Sequence, residues 1–335
     1  MAAAREIQTS APAQRGPARG GLGPLRRAFE KVGMKLLDVG ARGGGLPWLG
    51  FFAPFSSYYG CEPDATAAAG LRHVLKRNNP WRRTVVIPEA LASKPGPATL
   101  YLTRHPGFSS TLKPNMSVVS DFGLEEEFTV EDTIEVPTLT LEKAAEKYGF
   151  EDVGFVKIDT QGTELDILKS GAALLKGPVQ GVFVEVEFRQ FYRRQPLFSE
   201  VEKFLRQCGF ELIRMDPVAR RRTTTDLRIG YSRREITWAH ALFMKARPDP
   251  AKADKETLYP YLVRQIAIAV ASEQFDLAAD RIAHPDCAKV LKDAGLKVAV
   301  DDLDAYVSKR VARSLYEDFR KRWPEIVKDR PRIYT

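Results

Sequence analysis

Between Met34 and Lys245, short continuous apolar runs alternate with stretches whose apolar positions recur every three or four residues. The runs are "MKLLDVG", "SSYYGCEP", "TVVIPEAL", "ATLYLT", "VGFVKID", "GVFVEVEF", "FELIRMD" and "TWAHALFMK". Runs of this length, rich in Val, Ile and aromatic residues, predict strands buried on both faces. The intervening "PDATAAAGLRHVLKRN", "TLEKAAEKYG", "TELDILKSGAALLK" and "LFSEVEKFLRQCG" carry helical spacing. Strands alternating with helices predict an α/β fold whose mostly parallel sheet is covered on both sides. No helical pattern separates the last two runs, so they predict an antiparallel pair at one edge.

Past Lys245 the pattern changes. "ARPDPAKADKET" is a polar, proline-containing linker, and residues 257 to 322 are largely helical in pattern, with Leu262, Ile266, Ala269 and Val270 on one stripe. This gives three segments: a basic leader over 1–27, a main domain over 28–247 and a helical C-terminal appendage over 248–335. The appendage is read as a homo-oligomer contact, a lid, or further packing on the main domain.

Charge refines this picture only slightly. The leader holds Arg5, Arg15, Arg19, Arg26 and Arg27 against Glu6 and so carries half of the formal net charge of +8. It reads as a disordered Ala/Gly/Pro/Arg segment, and the weakly basic remainder argues against nucleic acid as a partner. Cys61, Cys208 and Cys287 are scattered and odd in number, which fits free thiols in a reducing cytoplasm. No apolar region follows the early arginines as a signal peptide requires, and no transmembrane segment is expected.

The candidate chemistry begins at "DVGARGG". A strand runs into a glycine-rich turn of the kind that lets a ligand approach the backbone. Arg42 stands where a second glycine of a dinucleotide fingerprint would fall, and Asp38 precedes Gly40 by two places. A carboxylate there opposes a pyrophosphate but suits a cofactor carrying a sulfonium and an ammonium group. Glu62 ends the second strand, where a carboxylate accepts hydrogen bonds from ribose hydroxyls. Asp38, Gly40, Gly44 and Glu62 together point to S-adenosyl-L-methionine (SAM).

Taken with "YYGCEPD", "SSTL", "KIDTQGTELDILKSGA" and "VFVEVEF", the stretch "LLDVGARGG" resembles the FkbM-type SAM-dependent methyltransferases, from about Met34 to Lys245. The resemblance implies a Rossmann-like class I methyltransferase with a seven-stranded sheet in the order 3-2-1-4-5-7-6. It also implies O-methylation, commonly of sugar hydroxyls, so the expected partner is a carbohydrate or glycosylated small-molecule acceptor. The family usually has Glu where this chain has Gln161, and commonly Asn where it has Arg42.

In that strand order the ends of the first and fourth strands meet at the topological switch point, so Lys157, Asp159 and Gln161 face a crevice. Asp159 is the first candidate for the base that takes the acceptor's proton, with Lys157 orienting it. The competing reading makes Asp159 a helix cap paired with Lys157. Glu185 is a further catalytic candidate, and Glu187 shares its face two residues on. Ser109 and Ser110 of "SSTL", Glu187, Tyr192 and Arg220 are candidates for the acceptor site, Arg220 as part of a basic loop with Arg221, Arg222, Arg228, Arg233 and Arg234. His240 reads as a structural histidine. Asp159, Glu185 and Glu187 have the chemistry to hold a divalent ion, but no ligand spacing is diagnostic and the sequence assigns no metal. Two other readings are an NAD-dependent sugar-modifying enzyme, which the first-loop spacing opposes, and a non-catalytic RNA- or protein-binding module on a degenerate fold.

Overall fold

The structure is a computed structural model that describes residues 22–44, 47–77, 79–223, 233–249, 255–296 and 300–310. Its strands are β1 (Met34–Val39), β2 (Ser56–Cys61), β3 (Arg83–Ile87), β4 (Ala90–Leu91), β5 (Gly96–Thr103), β6 (Val130–Leu139), β7 (Phe155–Ile158), β8 (Gly181–Glu187), β9 (Phe210–Arg220) and β10 (Glu235–Lys245). Its helices are α1 (Gly23–Val32), α2 (Ala65–Arg77), α3 (Met116–Asp121), α4 (Leu141–Tyr148), α5 (Glu164–Lys169), α6 (Ala172–Lys176), α7 (Phe198–Gln207), α8 (Lys255–Ala271), α9 (Phe275–Ala283), α10 (Pro285–Asp293) and α11 (Val300–Arg310).

Seven strands form one sheet in the order β3-β2-β1-β7-β8-β10-β9, and β10 alone among them runs antiparallel to its neighbours. This is the expected topology, a Rossmann-like methyltransferase sheet with an antiparallel edge. The alternation of side chains along each strand feeds two cores. Leu36, Phe155, Phe183, Leu242 and Met244 point to one face, where residues of α1, α2 and α8 cover them. Leu37, Val39, Val156, Ile158, Val182 and Val184 point to the other, under α4 to α7.

Three features depart from the pattern read along the chain, and a fourth, the place of α8, matches one of the readings given for the appendage. α1 begins at Gly23, inside the segment read as a leader, and the fully buried Leu25 and Phe29 anchor it in the first core. α8 belongs to that same core through Leu258, Leu262, Val263 and Ile266. The single helix expected over 163–176 is broken at Ser170 and Gly171, where the backbone packs so closely on Leu141 that a Cβ on Gly171 would lie 2.2 Å from Leu141 Cδ2. Finally, β6 was not expected. It pairs with β4 and β5 in a separate three-stranded sheet, and Val136 and Thr138 are the only β6 side chains buried there.

That small sheet matters for the site. It stands over the carboxyl ends of β2 and β3, with Ala90, Leu100 and Val136 forming a satellite cluster. Among the described residues no helix is long and apolar enough to cross a membrane.

Candidate active site

The site grows from the ends of two neighbouring strands. Asp38 on β1 and Lys157 on β7 are register partners. Both are buried, and Lys157 Nζ lies 3.0 Å from Asp38 Oδ1. Tyr58, on the strand on the other side of β1, donates its hydroxyl to Asp38 Oδ2 at 2.7 Å. Lys157 also donates to the carbonyl of Gly40 at 2.9 Å, so one ammonium ties the strand pair to the turn that follows. Burial works to lower the lysine's pKa, but Asp38 and Asp159 outweigh it and hold the ammonium above its ordinary value. Tyr58 is pushed far up by burial and by Asp38. The charged end of a buried strand is therefore a paired charge, as its cost demands.

The turn itself is fixed by close contact. Gly40 has φ +75°, and a Cβ there would sit 1.9 Å from the carbonyl oxygen of Asp159. Any other residue would force β1 and β7 apart. The amides of Gly40 and Ala41 both donate to Cys61 O, and Asp159 N donates to Val39 O at 3.0 Å. Three strand ends are thus laced together around a cleft.

The cleft is a cavity of about 300 Å³. Gly40, Arg42 and Gly44 line one side, Glu62 and Pro63 the next, Ala90, Leu91 and Leu100 the apolar roof, and Ser109, Ser110, Lys157, Asp159, Thr160 and Gln161 the rest. Glu62 is buried, and burial raises its pKa against the opposing pull of the Asp64 amide and Arg42. Arg42 reaches back to Asp64 at 2.6 Å, with its Nε 3.9 Å from Glu62. Gly44 has φ +93° and open space where a Cβ would stand, which leaves its backbone accessible to a ligand.

Behind Asp159 lies a group of carboxylates. Gln161, itself at φ +61°, directs its amide nitrogen to Asp159 Oδ1 at 2.9 Å and, through a short contact, to Glu185 Oε2. Its side-chain oxygen is 3.0 Å from the Tyr192 hydroxyl, which also donates to Phe108 O at 2.7 Å. Ser110 donates to the backbone carbonyl of Gln161 at 2.7 Å. Burial works to raise Asp159, but Lys157 and the Gln161 amide hold its carboxyl below the usual range. Glu185 is pushed well up by burial and by Asp159, and Glu187 by burial and by Glu164. His240, the register partner of Glu185 on β10, is lowered by burial.

The candidates named from sequence therefore separate by position. Gly40, Gly44, Glu62, Ser109, Ser110, Lys157 and Asp159 line the cavity. Asp38 does not; it is fully buried and holds Lys157 and Tyr58. Asp159 is no helix cap, because α5 starts after Thr163 and the carboxylate's nearest donor is the Gln161 side chain. Glu164 takes the loop-closing role, accepting the amides of Thr160 and Gly162. Glu187 and Tyr192 are buried outside the lining, with Tyr192 acting through Gln161. Arg220 is the last residue of β9 rather than a loop residue, and its guanidinium stacks 4.7 Å from the Trp238 ring. Arg222 is paired with Asp121 and Glu235, and Arg228 lies outside the described residues. The sequence reading missed Arg42's reach to Asp64 and the apolar roof. "EAL", separated from β3 by Pro88 alone, was the available signal for the roof.

The strand order, with β10 antiparallel and a polar cleft at the switch point, is that of the Rossmann-like methyltransferase fold. The sequence profile of the methyltransferase FkbM domain matches residues 38–212, just over half of the chain, and the chain belongs to that family. Among solved structures, the methyltransferase FkbM from Methylobacillus flagellatus KT matches at 14% identity and TM-score 0.38, over 64% of this chain and 44% of that one. The chain therefore spans less than half the length of that relative. Precorrin-6y C5,15-methyltransferase from Geobacter metallireducens GS-15 matches at 13% identity and TM-score 0.33, over 66% and 86%. TYW2 from M. jannaschii, solved in complex with AdoMet, matches at 12% identity and TM-score 0.29, over 70% and 80%. No curated protein matches.

Proposed function

We propose that this methyltransferase uses SAM and transfers the methyl group to a hydroxyl of a carbohydrate or glycosylated small molecule. The observation that carries the proposal is the make-up of one cavity, whose lining combines the buried Glu62, the apolar Ala90, Leu91 and Leu100, and Asp159, held ionised. The residues fit SAM. Glu62 is buried beside an open wall and suits two ribose hydroxyls, Ala90, Leu91 and Leu100 suit an adenine face, and the Gly40 to Gly44 turn exposes backbone for the amino-acid end. When bound, SAM supplies an electrophilic methyl group on sulfur.

The chain's own residues do the rest. Asp159 is the carboxylate of the rear group that lines the cavity and is held ionised, so it accepts a hydrogen bond from the acceptor hydroxyl and then its proton. Lys157 and Gln161 fix Asp159 from two sides, which favours an in-line approach by positioning. Lys157 is a positioning residue: it holds the Gly40 carbonyl and the Asp159 carboxylate in one geometry. The test is methyl-labelled SAM incubated with the full chain and nucleotide-sugar, polysaccharide and glycolipid fractions. Label in a base-stable ether on a sugar is the expected product. Label appearing only on nitrogen or carbon would overturn the hydroxyl assignment.

A further inference from the structure

Three potential ligand atoms converge at the back of the cleft. Asp159 follows β7, Glu185 lies on β8 and His240 on β10, and one oxygen or nitrogen from each lies within 4.8 Å of the other two. The arrangement comes from the sheet itself, because Glu185 and His240 are register partners on adjacent strands. His240 Nε2 is 3.9 Å from Glu185 Oε1, too far for a hydrogen bond. Its ring is held by stacking on Phe183, with centroids 5.6 Å apart and planes 5° from parallel. Among the described residues the imidazole makes no hydrogen bond that would commit either nitrogen elsewhere.

Two further observations point to a cation. The rear of the cleft brings together Asp159, Glu164, Glu185 and Glu187. Lys157 is the cation beside them, and its ammonium is 3.0 Å from Asp38 but 4.0 Å from Asp159. Several acidic side chains thus face one lysine, and a bound cation could take the place of the protons they otherwise carry. Second, the Gln161 amide donates to one oxygen of Asp159 and to one of Glu185, and so holds the two carboxyl groups side by side. Ligands about 2.0–2.2 Å from a small divalent ion lie roughly 3 Å apart when adjacent and about 4 Å apart when opposite. The three atoms are near that range, so small side-chain rotations bring them onto one ion.

We propose that Asp159, Glu185 and His240 form a divalent cation site, of the carboxylate-imidazole type that takes Mn²⁺, Mg²⁺ or Zn²⁺. Three protein ligands leave coordination positions open toward the cavity that Asp159 lines. Those positions suit a hydroxyl oxygen of the acceptor; the ion binds through one oxygen of Asp159 and lowers that hydroxyl's pKa, and the other oxygen of Asp159 remains to receive the proton. This role in acceptor binding rests on the methyl-transfer reading; the ion site itself does not. His240 thereby changes from a structural histidine to a ligand, and the site lacks a sequence spacing because its members come from two strands and the turn after a third.

The test is binding of metal alone to the full chain, without acceptor or turnover. Mn²⁺ is titrated by electron paramagnetic resonance, and Mg²⁺ and Zn²⁺ by calorimetry. Glu185→Gln keeps the side chain's shape, and His240→Phe keeps the stack on Phe183 while removing both nitrogens. Thermal melts and SAM titrations report whether each variant is folded. Saturable binding of one Mn²⁺ per chain, weakened roughly tenfold or more in both variants with SAM affinity unchanged, is the expected result. No saturable binding of any of the three ions overturns the site, as does binding that survives intact in either folded variant. Failure here leaves methyl transfer standing, and absence of methyl transfer leaves the ion titration interpretable.

Discussion

Lys157 and Asp38 sit opposite each other on adjacent parallel strands, with nitrogen and oxygen 3.0 Å apart and both side chains buried. The pair decides where the cleft opens, because the same ammonium holds the Gly40 carbonyl at 2.9 Å. Removing one partner leaves the other charge buried and unpaired. Lys157→Met is expected to cost about 3–5 kcal/mol of stability by chemical denaturation. Adding Asp38→Asn to that variant should recover part of the loss. If Lys157→Met alone is as stable as the parent, the pair is not the fastener described here.

The start of α1 sets a boundary that truncation can locate. A chain beginning at residue 22 keeps Leu22 and Leu25, whereas one beginning at 28 loses both, and Leu25 is fully buried. Loss of a buried leucine side chain costs about 2–5 kcal/mol. The shorter chain should melt well below the longer one in a thermal scan. Equal melting temperatures would return residues 22 to 27 to the leader.

How much of this was legible follows from where each signal resides. The seven-stranded order, the switch point and the need for Gly40 were carried by local runs and by the resemblance. The strand β6 was hidden because its residues 130–135 are largely exposed and charged, so it shows little buried alternation. Asp38 looked like a cofactor contact because its distance from the glycine turn was visible, but Tyr58 and Lys157, which enclose it, come from two other strands. His240 could not be joined to Asp159 and Glu185 for the same reason. α8 did carry a usable signal: residues 266 to 271 are apolar on every side of the helix, a pattern of full burial rather than of a surface stripe.

Glu89, just beyond β3, gives a pH dependence with a definite sign. Burial works to raise its carboxyl, but hydrogen bonds from Lys147 and from Tyr148, the latter at 2.6 Å, hold it below the ordinary value of 4.5. A depressed carboxyl binds its proton less readily in the folded state than in the unfolded one. Its stabilisation is therefore present above about pH 4.5 and is lost as pH falls through the lower folded value. Glu89→Gln should lower the melting temperature at neutral pH and flatten its decline in acid. Parallel melting curves for both proteins across that window would contradict the assignment.

Glu62 is expected to hold SAM through charged hydrogen bonds, each contributing roughly 1.5–3 kcal/mol. Glu62→Ala should weaken SAM by about 10- to 100-fold in calorimetric titration, with the fold intact by circular dichroism. Because Arg42 reaches across to Asp64 at 2.6 Å, Arg42→Ala tests whether that link orders the pocket. The account expects a smaller loss of affinity, less than tenfold, for this half-exposed pair.

The most direct measurement follows turnover and SAM affinity together in Asp159→Asn, using the acceptor fraction that takes up labelled methyl. Asparagine keeps the shape and accepts a hydrogen bond through its carbonyl oxygen, but it cannot take the acceptor's proton. The account predicts that kcat falls roughly 10²- to 10⁴-fold while SAM affinity stays nearly constant, since Glu62 and the Gly40 to Gly44 turn are assigned to the cofactor. Near-normal turnover in the folded variant, or loss of SAM binding along with activity, would contradict it.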